Sequence, residues 1–479
     1  MSLQSSSLTS INRRQFIYYS ALAAGGTALT GYARPRPRPV SPNEKLNIAG
    51  VGAGGKGGSD MRCCSGENIV ALCDVNESCA ASTRAKFPKA RFYKDFRVML
   101  EKEKSIDAVD IATPDHMHAV IAAMAIRMGK HVYCQKPLTH DVYEARMLRD
   151  LARKYKVATQ MGNQGSASDG LRRAVEVVHA GLIGPVRHAY VWTNRPLWRQ
   201  GLERPEGSDP VPAGLDWDLW LGTAPWRPFK NHWPETAAGD RHRDVYQPWV
   251  WRGWFDYGTG ALGDMACHTV NWPFRALKLE YPTEIEAECS GLTKEMYPNS
   301  SKIRFEFPAR GDQPPVTLWW FDGGNKPPKE VTADVANLLD QVSGSGCILV
   351  GDKGQLFSPD DGDGDFRFFA KLKDDKDLTR ATDHEAVKAI PQIIPRNTFA
   401  GGAGTDERQH AEWIAACKGG PPAYSNFDIA AYLTEIMLLG CVAMRTGKKL
   451  EWDGPKMRAK NAPEAAQYVR RKYRKGYKL

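Results

Sequence analysis

The chain has 479 residues, too many for one ordinary hydrophobic core and suited to two domains with additions. Hydrophobic residues make up 42% and charged residues 25%, which excludes a disordered chain, and no run of eighteen apolar residues predicts a membrane-spanning helix. The net charge of +10 is carried by the two ends: Arg13 and Arg14 near the start and a net +8 in the last 32 residues, so that Arg34 to Gly447 sums to zero. A neutral body argues against a nucleic-acid-binding face.

Residues 1–33 are not expected to be part of the fold. Asn12-Arg13-Arg14-Gln15-Phe16-Ile17 precedes a weakly apolar run, Ile17 to Thr30, and Gly31-Tyr32-Ala33 offers the small residues of a cleavage site. The arginine pair resembles a twin-arginine export signal, which implies the export machinery as a partner and a periplasmic location; the alternative is a disordered basic leader. Arg34 to Pro39 alternate Arg and Pro, and residues 34–44 predict an extended linker. The ten cysteines show no CxxC pair and no Cys/His spacing suited to zinc, so no metal site is expected. Free thiols are compatible with a route that exports folded proteins, so their number says little about compartment.

Residues 45–165 read as a dinucleotide-binding domain of Rossmann type. Lys45 to Ala49 predicts a buried strand leading into Gly50-Val51-Gly52-Ala53-Gly54-Gly55, a G-x-G-x-x-G pattern. Gly50 would allow the tight turn, Gly52 the close approach of backbone to a pyrophosphate, and Gly55 close helix packing. The pattern alone is weak in a chain with 44 glycines, but a second strand, Ile69 to Asp74, follows it. Asp74 ends that strand where an acid bonds the adenosine ribose hydroxyls and disfavours a 2′-phosphate, so NAD is expected over NADP. The competing reading is a structural glycine turn with a surface Asp.

The alternation continues with a strand over 106–112, the turn Thr113-Pro114-Asp115-His116-Met117-His118, a helix around 120–128 and a strand at 131–134. That strand delivers Gln135-Lys136-Pro137 at its C-terminal end, where open α/β sheets bind ligands. A helix over 141–155 and a strand over 157–161 complete the rhythm. In this order of motifs the chain resembles the glucose–fructose oxidoreductase/inositol dehydrogenase/MocA family from about residue 45 to 453. The glycine loop, Asp74, Thr113-Pro114…His118, Lys136-Pro137 and Asp264-x-x-x-His268 after the glycine-rich turn Gly258 to Gly263 carry the likeness. Gln135 departs from it, standing where the family usually has Glu; it can still bond a nicotinamide ribose hydroxyl but brings no negative charge beside Lys136.

The resemblance implies a second α+β domain over 166–453 with a large open, mainly antiparallel sheet. Strands at 186–193 and 315–321 and a hairpin over 347–356 are consistent with this, as are closing helices within 401–418 and 426–452. It also implies NAD as cofactor, held by Gly50, Gly52, Gly55, Asp74, Thr113, Pro114, His118, Gln135 and Lys136. Oxidising a secondary alcohol needs a base for the hydroxyl proton and a donor for developing alkoxide. The resemblance gives these roles to His268 and Lys136, with Asp264 one helical turn before His268. Spacing alone shows only that Asp264 and His268 share a helix face; the alternatives are a helix-surface pair or two metal ligands, the latter lacking a third ligand at recognisable spacing.

Nine of the fourteen tryptophans lie between Trp192 and Trp254, interleaved with Arg and His. Aromatic faces stack on sugar rings, so a sugar or glycoside is the expected ligand, with Asn163, Arg195, His242, Trp251 and Tyr257 as candidate contacts; about half of these tryptophans should instead be core. Three functions remain open: an oxidoreductase on a sugar, a glycoside-cleaving enzyme that oxidises, eliminates and reduces, and a binding protein without turnover. A homo-oligomer, dimer or tetramer, is also expected. Residues 454–479 form a basic tail, read as solvated or docked on the surface.

Overall fold

The computed structural model describes residues 34–234, 243–362, 364–398 and 404–479, of which Arg36–Leu479 form one compact unit. The predicted export leader and His242 lie outside the described residues.

Six short strands, β1 (Asn47–Val51), β2 (Asn68–Cys73), β3 (Arg91–Tyr93), β4 (Ala108–Ile111), β5 (His131–Gln135) and β6 (Thr159–Gly162), pair in the order β3-β2-β1-β4-β5-β6, all parallel. Helices cover both faces, so β4 and β5 are buried at every position rather than at alternate ones, and the polar residues they carry, Asp110, His131 and Gln135, are buried with them. The strand order reverses direction between β1 and β4, which is where a doubly wound sheet opens its ligand crevice. Asp141 starts the helix Val142–Tyr155 with a capping box, accepting from the Glu144 N–H while Glu144 accepts from the Asp141 N–H.

The remaining chain builds a ten-stranded sheet from β7 (Val186–Trp192), β8 (Glu284–Ser290), β9 (Ser300–Phe307), β10 (Val316–Phe321), β11 (Gly346–Gly351), β12 (Gly354–Ser358), β13 (Phe369–Leu372), β14 (Thr379–Arg380), β15 (Leu450–Asp453) and β16 (Arg458–Ala459). Their order is β14-β13-β12-β11-β7-β10-β9-β8-β15-β16. Among these described strands only β7 and β10 run parallel; every other neighbouring pair is antiparallel. The predicted hairpin is β11–β12, closed by Asp352-Lys353 with Gly351 opposite Gly354. Strand β9 alternates, burying Ser301, Ile303, Phe305 and Phe307 against the core.

Against that face packs the 20-residue helix Phe427–Thr446. Its length, and a mean hydropathy of 1.6 over its most apolar eighteen residues, would suit a membrane span, but 83% of that stretch is buried inside the fold, where Gly440 lies against Leu262, Ile303 and Phe305. A separate aromatic core fills the segment from Leu215 to Tyr257. Trp217 and Trp220 stack at 4.8 Å, and Tyr246, Trp254 and Tyr257 close around them. Seven of the nine clustered tryptophans are buried, more than the expected half, so aromatic enrichment here first reports a core and only secondarily a ligand surface.

Candidate active site

A cleft of about 730 Å³ runs from the glycine loop and Asp74 at one end to Lys136, Asp264 and His268 at the other. At the first end the walls are backbone. Gly52 has φ of +84°, and a Cβ there would lie 2.6 Å from the Ala112 carbonyl oxygen. The close packing assigned to Gly55 falls instead to Gly57, where a Cβ would sit 1.8 Å from the Gly52 oxygen; Gly55 meets nothing and serves through its φ of +48°. Gly50 lies within β1 beneath Met61 rather than in the turn. The helix Gly55–Cys63 thus begins at the cleft with its first amides facing an anion site. Asp74 closes this end, accepting from the Gly54 N–H at 3.1 Å and the Asn76 N–H at 2.9 Å. This cradle of bare backbone plus one acid fits a dinucleotide's pyrophosphate and ribose.

The second end is built of charged side chains. Lys136, delivered by β5, donates to Asp264 Oδ1 at 2.7 Å and to the Asp264 carbonyl at 2.9 Å. Arg252 donates to the same Oδ1 at 2.9 Å and to the Trp249 carbonyl at 3.1 Å, and its guanidinium lies 4.4 Å from the Trp251 ring centre. Burial pushes the Asp264 carboxyl up, but Lys136 and Arg252 outweigh it and hold it well below the usual carboxylate range. His268 is buried on the same helix, Gly260–Thr269, and lines the cleft beside Asp264.

Of the other expected contacts, Thr113, Pro114, Gln135, Arg195 and Trp251 line the cleft. Arg195 pairs with Asp361 at 3.5 Å. Three expectations are corrected. Asn163 is fully buried and committed to the core, donating to the Cys267 carbonyl at 3.0 Å and accepting from Ser425 Oγ at 2.6 Å and Ser166 Oγ at 3.1 Å. Tyr257 is fully buried in the aromatic core, edge-on to Trp220 and Tyr246, and does not border the cleft. His118 sits behind the cleft wall, its ring nitrogens 2.9 Å from the Pro137 carbonyl and 2.8 Å from that of Thr113, so it braces the two loops against each other.

Gln135 has a use that its position in the motif does not reveal. Its Nε2 donates to Asp60 Oδ2 at 2.8 Å, and Asp60 is wholly buried in the helix that follows the glycine loop. Gly162, opposite Gln135 in β6, leaves the room: a Cβ there would fall 2.5 Å from Gln135 Oε1. A Glu at 135 would oppose a second buried carboxylate, so the amide suits this chain's own surroundings. Asp60 also accepts from Lys56 Nζ at 2.7 Å and lies 3.6 Å from His410 Nε2, which is 3.4 Å from Asp110 Oδ2. Burial lowers the His410 imidazole, but Asp110, Cys63 and Asp60 raise it well above its ordinary value. Cys64, Asp110 and His410 have their potential ligand atoms within 4.8 Å of one another, a grouping of metal-site composition that spacing along the chain does not signal. An imidazolium between two carboxylates accounts for it as an ion-pair network. No local pattern announces these partners, because His410 lies 350 residues from Asp60. Arg252 is visible in the sequence only as one of many arginines among the tryptophans.

Residues 45–163 match the model of the oxidoreductase family with an NAD-binding Rossmann fold, and residues 186–308 match that family's C-terminal α/β domain, together about half of the chain. A levoglucosan dehydrogenase of Pseudarthrobacter phenanthrenivorans is 29% identical over 27% of this chain and 35% of its own length. A glycosyl hydrolase family 109 protein of Saccharopolyspora erythraea is 29% identical over 36% of this chain and 44% of its own. The chain thus matches less than half the length of these curated relatives. An inositol dehydrogenase homolog of Azotobacter vinelandii, solved with NADH and myo-inositol, superposes with a TM-score of 0.57 over 86% of this chain and 98% of its own; at 14% identity it shows a shared fold. With two family models in tandem over a six-stranded parallel sheet and a large, mostly antiparallel one, the chain belongs to the Gfo/Idh/MocA oxidoreductase family and carries its NAD-binding Rossmann domain.

Proposed function

We propose that the protein is an NAD-dependent oxidoreductase acting on a secondary alcohol of a sugar or glycoside. The observation that carries this reading is the meeting of Lys136, Asp264 and His268 at the end of the cleft opposite the glycine loop, beside Trp249 and Trp251. When bound, the dinucleotide supplies a nicotinamide that exchanges hydride with the substrate carbon. Lys136 donates to the substrate oxygen and stabilises its developing negative charge. His268 takes the hydroxyl proton in the oxidising direction and returns it in the reverse. Asp264 stays ionised and fixes the Lys136 ammonium, and Arg252 fixes Asp264. Trp249 and Trp251 offer apolar faces to a sugar ring, and Arg195 a polar contact at the rim. The relative named as a levoglucosan dehydrogenase supports this substrate class.

A second reading, glycoside cleavage by oxidation, elimination and reduction, is favoured by the relative named as a family 109 glycosyl hydrolase. Product analysis separates the two. A keto-sugar formed with stoichiometric NADH supports the first; a released leaving group with no net change in nicotinamide supports the second. Neither product from a panel of sugars and aryl glycosides would overturn both. We further propose twin-arginine export of the folded, nucleotide-loaded protein, resting on Arg13 and Arg14; a reporter fused to residues 1–40 should be exported only with both intact.

A further inference from the structure

The basic C-terminal tail runs across the nucleotide domain. Arg471, in the tail, donates to the His116 carbonyl at 2.7 Å and to Thr223 Oγ1 at 3.0 Å, so it ties the start of the helix Asp115–Arg127 to the aromatic segment. Its guanidinium also lies 3.3 Å from Glu144, the residue that completes the capping box of the helix Val142–Tyr155. Arg474 continues the path, donating to the Gly222 carbonyl at 3.0 Å while its own N–H donates to the Thr223 carbonyl at 3.0 Å. The chain then places Tyr477, 9% exposed, under the Arg97 guanidinium at 4.8 Å from the ring centre, and Arg97 donates to the Asp95 carboxylate at 2.7 Å. Tyr477 borders the same cleft as Asp74, next to Asp95 and Phe96, at the end opposite Lys136.

We propose that residues 470–479 are a strap across the adenosine end of the nucleotide cleft, with Arg471 and Arg474 as anchors and Tyr477 as a nucleotide-contacting residue. The strap rests on the dinucleotide reading of the cleft and adds the element that slows nucleotide release. A cation–π contact and a buried ring cover the adenosine site without altering the nicotinamide end, so the strap acts on dissociation rather than on the chemical step. The positive charge concentrated here serves as cross-domain anchoring, with the Arg471 and Arg474 donors spent on carbonyls and carboxylates of the fold.

The test uses the full-length protein loaded with NADH, with release followed by the fall in NADH fluorescence on mixing with excess ADP-ribose. Truncation after Tyr473 is expected to speed release by about tenfold or more, and Tyr477→Ala by roughly fivefold, in the range over which affinity changes act through off-rates. Tyr477→Phe should release at the wild-type rate, because the ring and not the hydroxyl does the covering. ADP-ribose affinity, measured by calorimetry, should fall in proportion, while binding of nicotinamide mononucleotide should not change. A folded Tyr477→Ala protein with an unchanged release rate, or with only a lower melting temperature, would overturn the strap and leave the nucleotide reading standing. Failure of the full-length protein to bind NADH would overturn both.

Discussion

The two ends of the cleft are made of different materials. At the glycine loop the contacts offered to a ligand are amides and empty space, with Asp74 as the acid that braces the loop. At the Lys136 end, they are side chains whose charges hold one another in place across the two domains. Backbone sites depend on geometry and fail when a Cβ intrudes. Side-chain sites depend on charge balance and fail when one member is neutralised or duplicated.

The largest expected effect therefore comes from geometry. Gly52→Ala should abolish measurable nucleotide binding in calorimetry, since the added carbon lies 2.6 Å from the Ala112 oxygen in a left-handed backbone conformation. Lys136→Ala and His268→Ala come next: each should lower turnover by roughly a hundredfold or more, the usual range for acid–base groups, with nucleotide affinity changed only a few-fold. A His268→Ala enzyme with near wild-type turnover would remove that residue from the proton-transfer role. Asp74→Ala should narrow the preference for NAD over NADP by about tenfold, an effect of about 1.4 kcal/mol that two titrations would read.

Two smaller effects probe charge balance by pH. Gln135→Glu sets a second carboxyl against Asp60, raising its folded pKa above the unfolded value, so the variant should match the wild type in melting temperature near pH 4 and fall behind as pH rises. Burial pushes the Asp115 carboxyl up to about 7, even though Thr259 Oγ1 donates to it at 2.7 Å. A raised acid stabilises the fold fully below its unfolded pKa, and that contribution is lost as pH rises toward 7. Asp115→Asn should flatten this decline in a series of melting curves. An equal slope in both proteins would place the titration elsewhere.

What the sequence makes legible follows the same division. Strands β1, β2, β4 and β5 stand out as short stretches rich in apolar residues and β6 by its place in the alternation with helices, and the glycine loop stands out because its chemistry is local. Lys136, Asp264 and His268 emerge through motif order, and the structure brings all three to one cleft. Asn163 and Tyr257 mislead because residue type does not disclose whether a polar group's partner is a ligand or the core, and here the partners are Cys267, Ser425 and an aromatic cluster. The three-residue β3 and two-residue β14 carry too little pattern to be seen. Asp60 with His410, and Arg471 with His116, are pairings made only by the folded chain.

Lys136 belongs to one domain and Asp264 to the other, 128 positions further along the chain. Their ion pair is therefore a cross-domain tie as well as a component of the candidate site. Swinging the domains apart would pull largely buried opposite charges away from each other, and removing one partner of such a pair typically costs about 3–5 kcal/mol. The cleft walls that carry these two charges are thus tied directly to each other, and loss of Lys136 or Asp264 cuts a cross-domain link as well as altering the candidate site.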